Sequence, residues 1–364
     1  MKKLFFLFVH FVCLHNVIGQ TIDSSLIHAM ETSVANGTYP NIHSILVSHN
    51  GKLVYEKYWS GSDQKYGKDV GIIAHDIDHL HSVRSVTKSV TSACIGIAIQ
   101  QGKIKNINQN IFEFFPEHSS QDTGLKSQIT IKDLLTMTAG FQWNEADHTL
   151  PDNSETLMGN SSDPVAYMLS LPMANTPGNV FLYNGGATQL LAAIIQKATG
   201  LSLDKFAKKY LFAPLGITVF EWGTTYGSDM PDAFSSLYLK SRDMMKFGLL
   251  YMNDGKWNTK QVVPIEWVKE SINPYIVADD GSDPRFGKSE YGFQWWILPD
   301  TIMNKPTKLF ACIGNGGQRI FIDKENKLVV VFTGGNYDRP DIYLNPYKIL
   351  HEFIYPAIIS SKRG

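Results

Sequence analysis

Ser85 and Lys88 stand three residues apart at the head of an apolar run, Val90 to Ile99, and this pair is the strongest candidate for chemistry in the chain. On a helix, residues three apart share a face, so the hydroxyl and the amine can meet within hydrogen-bond reach. A hydroxyl beside an amine is a candidate nucleophile for acyl transfer. No charge follows Lys88 before Gly102, which suits a helix buried on nearly all sides and stopped by that glycine. Burial predicts a lowered lysine pKa, so that Lys88 acts as a neutral base near pH 7 while Ser85 sits at the positive helix end. Many S-x-x-K matches are surface residues at a helix start, and it is the apolar continuation that sets this one apart.

An acyl-transferring serine also needs an acid for the leaving group and donors for the tetrahedral oxyanion. The segment Pro177 to Gly186 precedes a helix starting near Thr188 and sets Tyr183 on a loop, where its phenol can relay a proton. The segment Phe310 to Gln318 ends one strand and begins another, leaving the backbone N–H groups around Gly314, Asn315 and Gly316 free to face a substrate. Taken singly, each has a plainer reading: a loop tyrosine packs, and a glycine-rich turn turns.

The elements that must position these residues fall into two groups. Near the start, Ile22 to Val34 reads as a helix, followed by a hairpin of Ser44–Ser48 and Leu53–Trp59 around a turn ending at Gly51. Near the end, Tyr291–Leu298, Leu309–Ile313, Gln318–Ile322 and Leu328–Thr333 read as successive strands, with a helix from Pro346 to about Ile359. The middle is mainly helical, at Thr130–Met137, Pro164–Leu171, Thr188–Thr199, Leu203–Leu211 and Arg242–Met252. The expected architecture is therefore α/β (α+β): a discontinuous, mainly antiparallel sheet domain from residues 20–105 and 285–364, with a helical insert at 106–284.

Composition bounds the rest. The 364 residues are 43% hydrophobic and 18% charged, the balance of an ordinary globular chain, with a net charge of -1 and no basic stripe of the kind that binds nucleic acid. Lys2 and Lys3, the apolar stretch Leu4 to Leu14 and Val17-Ile18-Gly19 read as an export signal over residues 1–19, cut ahead of Gln20. The expectation is a periplasmic or secreted protein with no stable membrane insertion after cleavage. Cys13 lacks the small residues that precede a lipidated cysteine. An oxidising compartment permits a Cys94–Cys312 bridge, but an apolar helix and a strand are ordinary homes for two buried free thiols, the reading favoured here.

Other chemistry is less well supported. His75, His79 and His81, with Asp76 and Asp78 between them, suggest a metal site, but no remote fourth ligand is evident, so structural or substrate-edge roles are expected and no metal is assigned. The acids of Val277–Pro284 lack a calcium-ligand spacing and read as a solvated loop. The run Gly314–Gly317 leads into a strand, not a helix, which argues against a phosphate loop. Neither a G-x-S-x-G elbow nor an H-E-x-x-H pair occurs.

As a set, Ser82–Ser89, Ile129–Gly140, Pro177–Gly200, Asp243–Gly248 and Gly316-Gly317-Gln318 resemble the serine hydrolases of the penicillin-binding-protein and class C β-lactamase superfamily, most of all its esterases and aminohexanoate-dimer amidases. The resemblance covers nearly all of the chain after the signal. It implies a β-lactamase/transpeptidase-like fold and attack by Ser85 on a carbonyl, with Lys88 and Tyr183 jointly taking its proton. Tyr183 then protonates the leaving group, and water releases the acyl-enzyme, without cofactor. The implied oxyanion hole uses the N–H groups of Ser85 and Asn315.

Two departures bear on substrate. The family's second motif is often Tyr-x-Asn, whereas this chain has Tyr183-Asn184-Gly185, with Asn184 as the candidate stand-in. The third motif opens with a cation in true lactamases, and its counterpart here is Cys312-Ile313-Gly314. The expectation is a small neutral ester, amide or peptide substrate. D-amino-acid peptide or β-lactam hydrolysis is an alternative, as is a catalytically silent relative that binds peptidoglycan or another ligand in the same cleft.

Overall fold

A computed structural model describes residues 22–145, 150–278, 289–302 and 304–360. The first five strands are β1 (Ile42–His49), β2 (Lys52–Tyr58), β3 (Ser60–Lys65), β4 (Lys68–Ala74) and β5 (His81–Ser82). Short strands follow at β6 (Glu221–Trp222), β7 (Leu237–Leu239), β8 (Lys256–Trp257) and β9 (Lys260–Gln261). The remainder are β10 (Ile276–Val277), β11 (Glu290–Tyr291), β12 (Trp296–Ile302), β13 (Lys305–Gly314), β14 (Gln318–Asp323) and β15 (Leu328–Gly334).

An eight-stranded antiparallel sheet runs in the order β10-β11-β12-β13-β14-β15-β1-β2, so the two ends of the chain meet where β15 pairs with β1. Alternation explains its layers. Val330 and Phe332 join Ile45 and Val47 against the helix Ser24–Ala35 and the C-terminal helices, while Val329 and Val331 join Leu46 on the opposite face, toward Val86–Gln100 and Ser241–Met252. Both faces are therefore covered, and β1 is buried along its whole length. This is the mixed α/β architecture expected, with helices on both sides of an antiparallel sheet.

The differences are local and have physical reasons. The run beginning at Tyr291 does not continue as one strand, because Gly292 N–H bonds Trp295 O at 2.9 Å and Gln294 adopts φ +64°, turning β11 back onto β12. The pair β3–β4 was not legible as strands, since Ser60–Lys65 carries no apolar alternation; its turn is made by Tyr66 and Gly67, both at positive φ. Helix Ser241–Met252 packs on β1, β14 and β15, and β10 pairs into the sheet, so residues assigned to the insert help to build the sheet layer. The signal segment and most of the acidic loop lie outside the described residues. Among the described residues, no helix is long and apolar enough to cross a membrane.

Candidate active site

Ser85 is the N-cap of the helix Val86–Gln100, whose residues Val86 to Ala98 are all buried. Two features set its position. Arg84 takes φ +49°, a left-handed conformation uncommon for a non-glycine residue, and its carbonyl accepts both Thr87 N–H at 2.9 Å and Thr87 Oγ1 at 2.6 Å. Upstream, β5 pairs with β7, so the segment leading to Ser85 is held against residues 237–239.

Lys88 lies one turn along, nearly fully buried, and its Nζ donates to Ser85 Oγ at 3.1 Å and to Phe234 O at 3.2 Å. The Phe234 carbonyl is itself fixed, because Asp232 Oδ1 accepts the N–H groups of Phe234 and Ser235. Lys88 Nζ sits 4.7 Å from the centre of the Tyr183 ring. Tyr183 stacks on Trp296 at 5.9 Å and meets Tyr291 edge-on. The structure thus brings the three expected catalytic side chains together, with Ser85 and Tyr183 lining a cleft of about 1250 Å³ that also exposes Trp143, Phe234 and Asn315, and Lys88 buried behind them.

The charge state of Lys88 differs from the expected one. Burial pushes its pKa down, but the opposing influence of Tyr183, Glu145 and Glu155 is larger, and the net direction is upward. That direction favours the ammonium form of Lys88. Burial also raises the Tyr183 phenol, against the pull of Lys88 and of its hydrogen bonding to Ser85 and Lys88. Two acidic residues unforeseen in the sequence add to the influence of Tyr183 on Lys88. Glu145 Oε2 accepts the N–H of Gly185 at 2.6 Å and Trp143 Nε1 at 2.7 Å. Glu155 is pushed up to about 8 by burial and by the neighbouring Glu145 charge.

The remaining candidates divide. Asn184 is buried and its Oδ1 accepts Ala187 N–H at 2.9 Å, capping the helix Gly185–Thr199; it does not line the cleft, because the capping geometry turns the amide back along its own helix. Gly314 ends β13 so close to the nucleophile turn that a Cβ would lie 2.5 Å from Val83 O and 3.2 Å from Arg84 Cβ. Asn315 lines the cleft, its side chain tied to Asp338 by paired hydrogen bonds of 2.7 and 3.0 Å. Neither Ser85 nor Asn315 spends its N–H on a hydrogen bond among the described residues, as an oxyanion hole requires. Gly316, at φ +90°, gives its carbonyl to Asn336 N–H and packs on Tyr337 behind the cleft, so it shapes the turn and does not face substrate.

Gln294 is a further positioning residue that the sequence did not single out. Its amide binds Leu134 O, Leu135 O and Thr188 Oγ1, and its carbonyl accepts Ser89 Oγ at 2.6 Å, locking three helices around the site. Cys94 and Cys312 are free and buried, as favoured from the sequence, and burial pushes both thiols far up. The histidine-rich approach departs from expectation. Asp76 caps the turn at His79 and Asp78 pairs with Lys240, but the fold brings His43 and Asp63 to His75 and His81, two side chains whose proximity sequence separation had hidden.

The β-lactamase family model matches residues 29–351. The 6-aminohexanoate-dimer hydrolase of Paenarthrobacter ureafaciens is 24% identical over 70% of this chain and 66% of its own length. Among solved structures, a putative 6-aminohexanoate-dimer hydrolase from Bacillus anthracis superposes with a TM-score of 0.70 at 22% identity, covering 90% of this chain and 82% of that one. EstCE1, described as a hydrolase with promiscuous acyltransferase activity, gives 0.70 at 14% identity over 92% and 98%. With the match spanning nearly the whole chain, and this fold beneath it, the chain belongs to the β-lactamase family of serine hydrolases.

Proposed function

We propose that this chain is an exported serine hydrolase that cleaves a small neutral ester or amide through an acyl-Ser85 intermediate. The observation that carries the reading is the 3.1 Å contact of Lys88 Nζ with Ser85 Oγ at the cleft wall, with the Tyr183 phenol beside both. In this reading Lys88 is the ammonium that its raised pKa favours, and it does not take the serine proton. The base is the Tyr183 phenolate, present in the fraction of molecules that have lost the phenolic proton to solvent and stabilised by the adjacent cation. It takes the Ser85 proton as Oγ bonds the carbonyl carbon, and passes it to the leaving oxygen or nitrogen as that bond breaks. Water then attacks the acyl-enzyme, giving one proton to Tyr183 and on to Ser85 Oγ. The N–H groups of Ser85 and Asn315 are the donors for the oxyanion, each worth about a hundred- to a thousand-fold in rate.

Substrate charge follows from what surrounds the cleft. Cys312 and Ile313 offer no cation at the third motif, Glu145 puts a carboxyl group on the wall beside Tyr183, and the two arginines of the cleft are engaged elsewhere, Arg84 with Gln64 and the Tyr337 ring and Arg339 with Asp341, which supports a neutral substrate. The names of the amide-cleaving relative and the acyl-transferring neighbour point to the same bond classes. A panel of nitrophenyl esters, linear amides, D-peptides and nitrocefin, with a fluorophosphonate probe read by intact mass, tests this. Turnover of esters or amides and labelling lost in Ser85→Ala are expected. Absence of wild-type labelling at every pH favours a silent binding protein, and nitrocefin as the best substrate overturns the neutral-substrate assignment.

A further inference from the structure

Outside the catalytic cleft, four side chains from distant parts of the chain converge on one buried point. His43 comes from β1, Asp63 from β3, His75 from the segment after β4, and His81 from β5; one potential ligand atom from each lies within 4.8 Å of all the others. All four are buried. Asp63 Oδ2 faces Nε2 of His75, His79 and His81 at 4.0, 3.8 and 3.7 Å, while Oδ1 is occupied by Tyr337 OH and Gln64 N–H, both at 2.8 Å.

The outward partners fix the tautomers. Asn41 Nδ2 donates to Ser62 O at 3.0 Å, which leaves Asn41 Oδ1 to accept from His43 Nε2 at 3.1 Å. His81 Nδ1 meets the carbonyl of Ser82 at 2.9 Å and must donate there too. Each ring has then spent its proton outward, and His43 Nδ1 and His81 Nε2 face one another as two lone pairs 2.8 Å apart. That contact is repulsive unless something positive fills it. A proton fills only this gap, and leaves His75 unexplained: both of its ring nitrogens are buried with no hydrogen-bond partner, and the ring stacks on His43 at 3.8 Å. A buried imidazole without a partner on either side is costly.

We propose that His43, Asp63, His75 and His81 form a structural site for a first-row divalent cation of the zinc class. Three imidazoles and one carboxylate, each imidazole donating outward or free to turn, suit such an ion, with outer carbonyls orienting the rings. Tetrahedral bonds of about 2.0–2.2 Å separate ligand atoms by about 3.4 Å, so the 3.7–4.0 Å contacts close by a few tenths of an ångström, the 2.8 Å contact opens by a similar amount, and the remaining separations, all within 4.8 Å, close by at most about 1.4 Å. The cradle is tight. A Cβ on Gly61 would lie 2.6 Å from His43 Nε2, and one on Gly335 2.8 Å from His43 Cε1, so the backbone closes directly over the outer edge of that ring. With four protein ligands, the ion takes no part in acyl transfer. It ties β1 and the β3–β4 hairpin to β5, four residues before Ser85, and reaches the nucleophile turn through Asp63, Tyr337 and the Arg84 guanidinium, 4.5 Å over the Tyr337 ring.

The test uses tag-free full-length protein, stripped with a chelator and titrated with Co2+ and then Zn2+. Uptake of about one equivalent of Co2+ with the intense visible bands of a four-coordinate ion, displaced by Zn2+, is expected. Asp63→Asn and His75→Gln should each weaken Co2+ affinity at least about tenfold, and Zn2+ should raise the Tm of wild type but not of either variant. Wild-type uptake below about a tenth of an equivalent ends the proposal whatever the variants do. Undiminished uptake in folded His75→Gln places the ion elsewhere and ends it as well.

Discussion

Lys88 donates a 3.1 Å hydrogen bond to Ser85 Oγ, and its pKa, pushed down by burial, is on balance raised by Tyr183, Glu145 and Glu155 around it, a direction that favours the ammonium form. In the proposed mechanism the pair is a nucleophile with an electrostatic partner, and the base is the third member of the group, Tyr183.

The first consequence is a pH profile. A base whose pKa is raised is mostly protonated near neutrality, so its active fraction grows as pH rises. Log kcat/KM on a neutral nitrophenyl ester should climb from the neutral into the alkaline range. Tyr183→Phe should lower kcat by about 10²- to 10⁴-fold and abolish the slope. A flat wild-type profile contradicts the assignment.

Glu155 gives a stability prediction. Its folded pKa, about 8, lies above the ordinary value of 4.5, so between the two the folded state holds a proton that the unfolded chain has lost. That proton-linked contribution falls as pH rises from 4.5 toward 8. Glu155→Gln removes it, so the Tm advantage of the variant over wild type should widen across that window and level off above it. Thermal unfolding of both proteins at several pH values measures the gap; a gap that narrows with pH refutes it.

Asn184 separates capping from substrate binding. Loss of the cap in Asn184→Ala should cost about 1 kcal/mol of stability, while KM for a neutral ester stays within about twofold. Denaturant unfolding and steady-state kinetics on one preparation decide between the roles, since a large rise in KM at unchanged stability reverses the conclusion.

Gly314→Ala probes the approach of β13 to the nucleophile turn. The added Cβ meets the backbone oxygen of Val83, which has little room to yield, and so pushes the Asn315 N–H away from Ser85. A shift near 1 Å costs about a hundredfold, and it should fall on kcat more than on KM. Unchanged kcat would place the oxyanion donor elsewhere.

Much of this was legible along the chain. Ser85 and Lys88 are local: three residues of helix put them on one face, and the uncharged run after Lys88 announces burial. The strands of the sheet were legible because their apolar faces alternate, and the turn that interrupts Tyr291–Leu298 was not, because an aromatic run hides a glycine and a glutamine at positive or bent backbone. Tyr183 and Asn184 are adjacent yet diverge. One side chain enters the cleft and the other caps a helix, a choice made by where the backbone bends.

The sequence by itself determined the candidate nucleophile, its neighbouring amine, the family and the alternating strands, because each depends on near neighbours or on a recurring pattern. The tertiary structure alone decided the surroundings that raise the pKa of that amine and the cluster of histidines around Asp63. Glu145 and Glu155 lie far from Lys88 in sequence, as does His43 from His81, and an electrostatic field or a ligand set depends on distances in space that only the folded chain defines.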